Sequence, residues 1–157
     1  MLGQLRHETV IDVPANVAWQ LFGGLELGRI VGEQLPNLFE KIELVEGDGG
    51  EGTIFNLIFA PGLGFSNYKE KFTKIDNDNR IKEAETVEGG FLNIGFTLYR
   101  VRFKIIENGE DKCIVETTVE YEIMEEAAAN ASLVTLQPLI DIVQVASNYL
   151  LHNKNPK

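Results

Sequence analysis

Two charged side chains occupy positions from which both could act on one bound molecule. On one predicted strand, side-chain alternation puts Tyr68, Glu70 and Phe72 on the same face, and the two aromatic residues indicate that this face points inward. On the next strand Lys82 shares a face with Ala84, whose small side chain favours the same orientation. A glutamate and a lysine that face one apolar interior perturb each other's pKa values, which suits them to acid–base chemistry.

Other interpretations of this pair stay open at the level of sequence. An unpaired buried charge is costly, so Glu70 and Lys82 would have to pair, contact water or meet a ligand. The same pattern is explained by a structural ion pair at the mouth of a cavity, or by the opposite assignment of strand faces.

The order of predicted elements indicates a single α+β domain over residues 1–157, with the helices grouped apart from an antiparallel sheet. A first strand at about Gln4–Val13 precedes two short helices, the second at about 26–34. Six more strands are predicted at Leu38–Glu46, Thr53–Phe59, Tyr68–Asp76, Arg80–Glu88, Phe91–Glu107 and Lys112–Ile123.

Helical periodicity marks the last segment. Apolar residues recur at three- and four-residue steps over about Glu125–Asn153: Leu133, Leu136, Ile140, Val143, Ser147 and Leu150. This predicts one long amphipathic helix, kinked at Pro138. A seven-stranded sheet has to wrap this helix to bury its apolar stripe.

Alternation on the last two strands predicts which side chains form the interior. The inward face consists of Thr97, Tyr99, Val101, Phe103 and Ile105, and the outward face carries Arg100, Arg102 and Lys104. Cys113, the single cysteine, begins the inward row of the following strand, which indicates a buried thiol and not a nucleophile.

Charge and composition exclude several functional classes. Against 14 Lys and Arg stand 24 Asp and Glu, a net charge of −10, so we expect no nucleic-acid partner and no binding to anionic membranes. No apolar run is long enough to span a bilayer, and with a single cysteine and no signal-peptide pattern we expect a cytoplasmic protein. The two histidines lie at opposite ends of the chain, no metal-ligand spacing is present, and nothing requires a cofactor.

A known family shares these motifs. The glycine pattern Gly47-x-Gly49-Gly50-x-Gly52 after a Phe-Glu-Lys-Ile-Glu strand, and the order of elements over nearly the whole chain, resemble the birch-pollen-allergen, pathogenesis-related class-10 superfamily of plants. The resemblance implies a helix-grip fold, in which seven antiparallel strands curve around a long C-terminal helix and enclose an apolar cavity. It also implies small amphipathic aromatic ligands, a link to plant defence, and a monomer or weak homodimer.

Five segments are similar to one branch of that superfamily, the norcoclaurine synthases, and the stretch Glu125-Glu-Ala-Ala-Ala-Asn-Ala-Ser resembles the norbelladine synthases. The five are Leu38-Phe-Glu-Lys-Ile-Glu, Val45-Glu-Gly-Asp-Gly-Gly-Glu-Gly-Thr, Tyr68-Lys-Glu-Lys-Phe, Asp78-Asn-Arg-Ile-Lys-Glu and Val87-Glu-Gly-Gly-Phe-Leu-Asn-Ile-Gly. The likeness implies a lyase of alkaloid biosynthesis that condenses a dopamine-like arylethylamine with an aromatic aldehyde by Pictet–Spengler chemistry.

The residues of this branch transfer onto positions already singled out. Its catalytic tyrosine, glutamate and lysine match Tyr68, Glu70 and Lys82, whereas its catalytic aspartate falls on Val101. The expected ligand-binding wall comprises Phe55, Leu57, Phe72, Ala84, Tyr99 and Val101. Two alternatives to an enzyme stay open: a non-catalytic carrier or receptor of a hormone, flavonoid or alkaloid, and a storage or defence protein with incidental binding.

Overall fold

The computed structural model describes residues 1–154, which form seven strands and three α-helices. The strands are β1 (Leu2–Ile11), β2 (Phe39–Glu46), β3 (Ile54–Phe59), β4 (Asn67–Asp76), β5 (Ile81–Gly89), β6 (Phe96–Glu107) and β7 (Cys113–Ile123). The helices are α1 (Ala15–Phe22), α2 (Glu26–Gln34) and α3 (Gln137–Lys154), and two 3-10 helices cover Gly90–Ile94 and Glu125–Leu133.

All neighbouring strands are antiparallel and form one sheet in the order β1-β7-β6-β5-β4-β3-β2. The buried side of α3, with Leu139, Val143, Ala146 and Leu150, belongs to the same core as the inward residues of the sheet. The predicted seven-stranded α+β helix-grip fold is therefore confirmed. Within residues 1–154 no helix has the length and apolar character needed to cross a membrane.

The C-terminal helix is shorter than the sequence predicted. It begins at Gln137, because a proline lacks the N–H group that an interior helical position needs and is tolerated in the first turn. Pro138 therefore marks the start of α3, and the prediction that it kinks a longer helix was wrong. Leu133, expected on the buried stripe, lies in the preceding 3-10 helix and is exposed.

The predicted strand Phe91–Glu107 is divided at Gly95, which has a φ of 96° and ends the 3-10 helix. A register shift against β7 then lies between Phe96 and Leu98. Phe96 is consequently buried, and Thr97, expected inward, is exposed. Alternation resumes as predicted from Tyr99 onward.

An ion-pair network on the outer face fixes the register of the central strands. The Arg100 guanidinium lies 3.2 Å from Glu85 on β5 and 3.3 Å from Glu120 on β7. The Arg102 guanidinium lies 2.6 Å from Glu83 and 2.6 Å from the same Glu120. A slip of one residue would turn these charges into the core, so the network also holds the opposite, apolar face in place.

Candidate active site

A cavity lies between helices α2 and α3 and the inner face of the sheet. Its empty space is about 680 Å³, counted together with its opening to solvent. The helices contribute Leu27, Gly28, Val31, Leu139 and Ile142 to its lining. The strands contribute three polar side chains, those of Tyr68, Glu70 and Lys82, within an otherwise apolar wall.

Eight of the nine residues predicted for the site line this cavity. They are Phe55, Leu57, Tyr68, Glu70, Phe72, Lys82, Ala84 and Val101. The exception is Tyr99, which is buried and stacks on Phe91 with ring centroids 4.5 Å apart. Burial is the main cause of the raised pKa of Tyr99, and the charge of Glu70 adds to it.

Strand register sets the shape of the wall. Phe72 on β4 lies opposite Ala84 on β5, which in turn lies opposite Val101 on β6. The small side chain of Ala84 leaves open space between two larger neighbours. Glu70 lies one inward step further along β4, opposite Phe55 on β3.

A bulge in β4 accommodates Lys82. The register against β5 shifts between Phe72 and Lys74, so Ile75 comes to lie opposite Lys82. The lysine is 6% exposed, and its Nζ lies 4.0 Å from the centroid of the Phe72 ring. The same Nζ donates a 3.5 Å hydrogen bond to the carbonyl of Gly24, in the connection between α1 and α2.

Burial makes Lys82 an unusual lysine. It lowers the pKa of the ammonium group to about 8, and the charge of Glu70 opposes this effect. At neutral pH the group is therefore still mostly protonated, but it releases its proton far more readily than a surface lysine. A group with a pKa near the working pH suits proton transfer.

Glu70 has the complementary perturbation. Burial raises the pKa of its carboxyl group, and the Lys82 ammonium partly offsets the increase. In the described part of the chain, no hydrogen bond and no ion pair within 4.0 Å joins Glu70 to Lys82. The two groups are thus not a closed structural ion pair, and both line the cavity from which a ligand would reach them.

Tyr68 stands beside this pair on β4. Burial raises the pKa of its phenol, and the neighbouring Glu70 carboxylate and Tyr99 contribute further. The group therefore stays protonated over the neutral range and is available as a hydrogen-bond donor. Its ring centroid lies 5.2 Å from that of Phe59, which holds the tyrosine within an aromatic cluster.

Several lining residues are not among the nine predicted for the site. Phe103 lies in the inward row that alternation predicts for β6, but the expected ligand-binding wall does not include it. Gly28 and the Gly24 carbonyl come from the α2 region, and Leu139 and Ile142 come from α3. No local pattern connects these helices to the sheet, because their contacts arise only on tertiary packing. Within residues 1–154 no cluster of three or more His, Cys, Asp or Glu side chains could hold a metal ion.

Comparison with known proteins gives one consistent picture. The model of the family described as "Pathogenesis-related protein Bet v 1 family" matches residues 1–153. The chain is 43% identical to norbelladine synthase from Narcissus pseudonarcissus over 156 residues, which are 99% of this chain and 96% of that protein.

Solved structures of norcoclaurine synthase from Thalictrum flavum have the same fold. A point mutant bound to a transition state analogue superposes with a TM-score of 0.93 at 32% identity, covering 99% of this chain and 98% of that one. A complex with dopamine and hydroxybenzaldehyde gives a TM-score of 0.89 at 32% identity, covering 99% and 90%.

Proposed function

This chain belongs to the Pathogenesis-related protein Bet v 1 family, and from that premise we propose that it condenses an arylethylamine with an aromatic aldehyde inside its cavity. One observation carries the proposal. A lysine with a pKa of about 8 and a glutamate with a raised pKa line the same apolar cavity without pairing to each other. Such a pair supplies one proton donor and one proton acceptor to a single bound molecule.

Lys82 acts first in the proposed sequence. The amine adds to the aldehyde carbon to give a carbinolamine, and the Lys82 ammonium donates a proton to its hydroxyl group. Water leaves, and the nitrogen lone pair forms the C=N bond of an iminium ion. The pKa of about 8 favours this step because the donor is protonated at neutral pH and yet gives up its proton readily.

Glu70 completes the Pictet–Spengler reaction. The electron-rich aryl ring of the amine attacks the iminium carbon, and a C–C bond forms. The Glu70 carboxylate removes the ring proton, which restores aromaticity. Tyr68 donates a hydrogen bond that orients the substrate. Confinement of both reactants in the cavity supplies much of the acceleration by fixing their approach.

A carrier function is the second candidate, and Val101 favours it. This valine lines the cavity at the position that the resemblance assigns to the catalytic aspartate of the norcoclaurine synthases, so it supplies no second carboxylate there. In a carrier, Glu70 and Lys82 would anchor the polar end of a small amphipathic ligand. For either function we propose a cytoplasmic location, supported by the single cysteine, Cys113, which is a buried free thiol.

A chiral product assay tests the proposal. The protein is incubated with dopamine and 4-hydroxyphenylacetaldehyde, and both the cyclised product and the imine, trapped by borohydride reduction, are quantified. Uncatalysed cyclisation is racemic, so we expect an enantiomeric excess from the protein. Glu70→Gln and Lys82→Ala should each lower turnover by about 100-fold or more, whereas Lys71→Ala, at an exposed lysine of β4, should not.

The outcomes separate the two functions. A racemic product at the blank rate, with no excess of trapped imine, would reject catalysis on this substrate pair. If Lys82→Ala then weakened ligand binding only modestly, the carrier function would stand. Stereoselective product that survived both substitutions would reject the assigned roles of Lys82 and Glu70.

A further inference from the structure

The first strand forms an open edge of the sheet. β1 pairs with β7 through ten consecutive residue pairs, from Leu2 opposite Glu122 to Ile11 opposite Cys113. Among residues 1–154, no backbone hydrogen bond is made along the other side of β1. An edge strand of this length presents a row of unpaired N–H and C=O groups to any further strand.

The two edges of the sheet are protected to different degrees. Natural edge strands avoid unwanted pairing through bulges, prolines and lysines. The opposite edge, β2, has two register shifts against β3 and carries Lys41. β1 has no register shift or proline, and its two exposed charged residues, Arg6 and Glu8, have opposite signs, so it remains a regular template for pairing with a complementary strand.

Symmetry restricts how two copies of β1 can pair. A two-fold axis perpendicular to the sheet keeps the faces of both copies aligned, so outward residues of one copy lie opposite outward residues of the other. The outward row of β1 consists of Leu2, Gln4, Arg6, Glu8 and Val10.

Charge then selects one register. An axis centred on Arg6 or on Glu8 places two like charges opposite each other, which destabilises a strand pair. An axis centred on Leu5 pairs Arg6 with Gln4 and leaves Glu8 opposite Leu2. Only an axis through His7 places Arg6 of each copy opposite Glu8 of the other, so that two opposite-charge pairs form.

Glu8 also lacks a counterion in its own chain. On β7 it lies directly opposite Glu116, a like charge, and no cation lies within 4.0 Å of its carboxylate in the described residues. Arg6 is 62% exposed and reaches Glu116 only at 4.0 Å. Arg6 of a second copy would supply the positive charge that this acidic pair lacks.

We propose that β1 docks antiparallel against β1 of a second copy, centred on His7, and joins the two sheets into one. An edge-to-edge contact buries little surface, so the dimer forms weakly and depends on concentration. None of the cavity-lining residues belongs to β1, and the dimer therefore stands independently of the proposed condensation.

Sedimentation velocity over a concentration series tests the proposal, at an ionic strength of about 0.15 M that screens the repulsion between two copies of net charge −10. Arg6→Glu and Glu8→Arg each replace two attractive pairs by two repulsive pairs, so each should raise the dimer dissociation constant by at least about tenfold. The double variant Arg6→Glu/Glu8→Arg restores attraction, and so does an equimolar mixture of the two single variants. Glu46→Arg, at an exposed position of the other edge, is the control with the same charge change as Glu8→Arg.

The expected result is a dimer in the wild type and the control, loss in each single variant, and recovery in the double variant and the mixture. Of the two single variants, Glu8→Arg should disturb folding less than Arg6→Glu, because it places a cation opposite Glu116. A wild-type protein that stays monomeric at all concentrations would overturn the proposal. So would a dimer that survives both single variants, or single-variant losses that neither the double variant nor the mixture restores.

Discussion

Replacing Lys82 with methionine should stabilise the protein while removing activity. The ammonium group is 6% exposed, and its pKa lies at about 8 instead of the ordinary 10.5. At about 1.4 kcal/mol per pKa unit, this difference corresponds to roughly 3 kcal/mol that folding loses by burying the charge. The Phe72 ring below Nζ favours the charged form by about 0.5–2 kcal/mol. We therefore expect Lys82→Met to raise the free energy of unfolding by about 1–3 kcal/mol at pH 7.

The gain has a defined pH dependence. Since the folded-state pKa is lowered, the cost of the charge is complete below pH 8 and is relieved as the pH rises toward 10.5. The difference between variant and wild type should shrink over this window. Urea unfolding followed by the fluorescence of Trp19 measures it, because the indole Nε1 donates a 2.9 Å hydrogen bond to Asn77 Oδ1 that unfolding breaks.

Lys71→Met is the matched control, since Lys71 is exposed on the neighbouring strand and should change stability by less than about 0.5 kcal/mol. A Lys82→Met protein no more stable than the wild type at pH 7 would refute the reasoning. A gain that stayed constant between pH 8 and 10.5 would also refute it, because the gain would then come from packing.

Three further predictions follow from the site and the core. The rate of condensation should fall above about pH 8, where Lys82 loses its proton. It should also fall at acidic pH, where the Glu70 carboxylate gains a proton, and Glu70→Gln should abolish this acidic limb of the pH–rate profile. Gly28→Ala places a methyl group 3.3 Å from Phe55 Cζ at the cavity wall, so it should lower kcat/KM for bulky aldehydes more than for small ones. Gly32 does not line the cavity, and the methyl group of Gly32→Ala would lie at an ordinary contact distance of 3.8 Å from Ile42, so this variant should leave the selectivity unchanged. Thr117 Oγ1 is buried without a hydrogen-bond partner in the described residues. Thr117→Val should therefore raise the free energy of unfolding, measured by urea titration, by about 1 kcal/mol. A loss of stability would show that the hydroxyl group has a hydrogen-bond partner.

Local pattern predicted the sheet side of the site and failed where the chain interrupts the pattern. Alternation oriented Glu70, Lys82 and Val101 correctly because β5 and β6 pair without a register shift, and the two shifts of β4 lie on either side of the segment from Glu70 to Phe72. It failed at Thr97, where a register shift against β7 reverses the faces for a short stretch. The shift follows Gly95, whose backbone is left-handed. A glycine in the sequence does not by itself show that its φ is positive, so the predicted strand runs through this position.

The helix side of the site depends on tertiary packing. The Gly24 carbonyl accepts a hydrogen bond from Lys82 across 58 positions of sequence, and no periodicity links the two. The lining residues of α3 were missed for another reason. The predicted helix begins earlier than α3, and its predicted apolar stripe includes Ile140. In the structure, Leu139 and Ile142 line the cavity instead.

The scarcity of polar groups in the cavity connects stability with function. Glu70 and Lys82 carry opposite charges, so each lowers the cost of burying the other while remaining too far apart to close an ion pair. Because Val101 is apolar, the charged groups among the described lining residues are one carboxyl group, that of Glu70, and one amine, that of Lys82. A second carboxylate at that position would stabilise the Lys82 ammonium and raise its pKa back toward the surface value, which makes the lysine a weaker proton donor. In the proposed mechanism, the valine at this position keeps the proton on Lys82 easy to transfer. It also makes Glu70 the one carboxylate, among the described residues that line the cavity, to take a proton from the substrate.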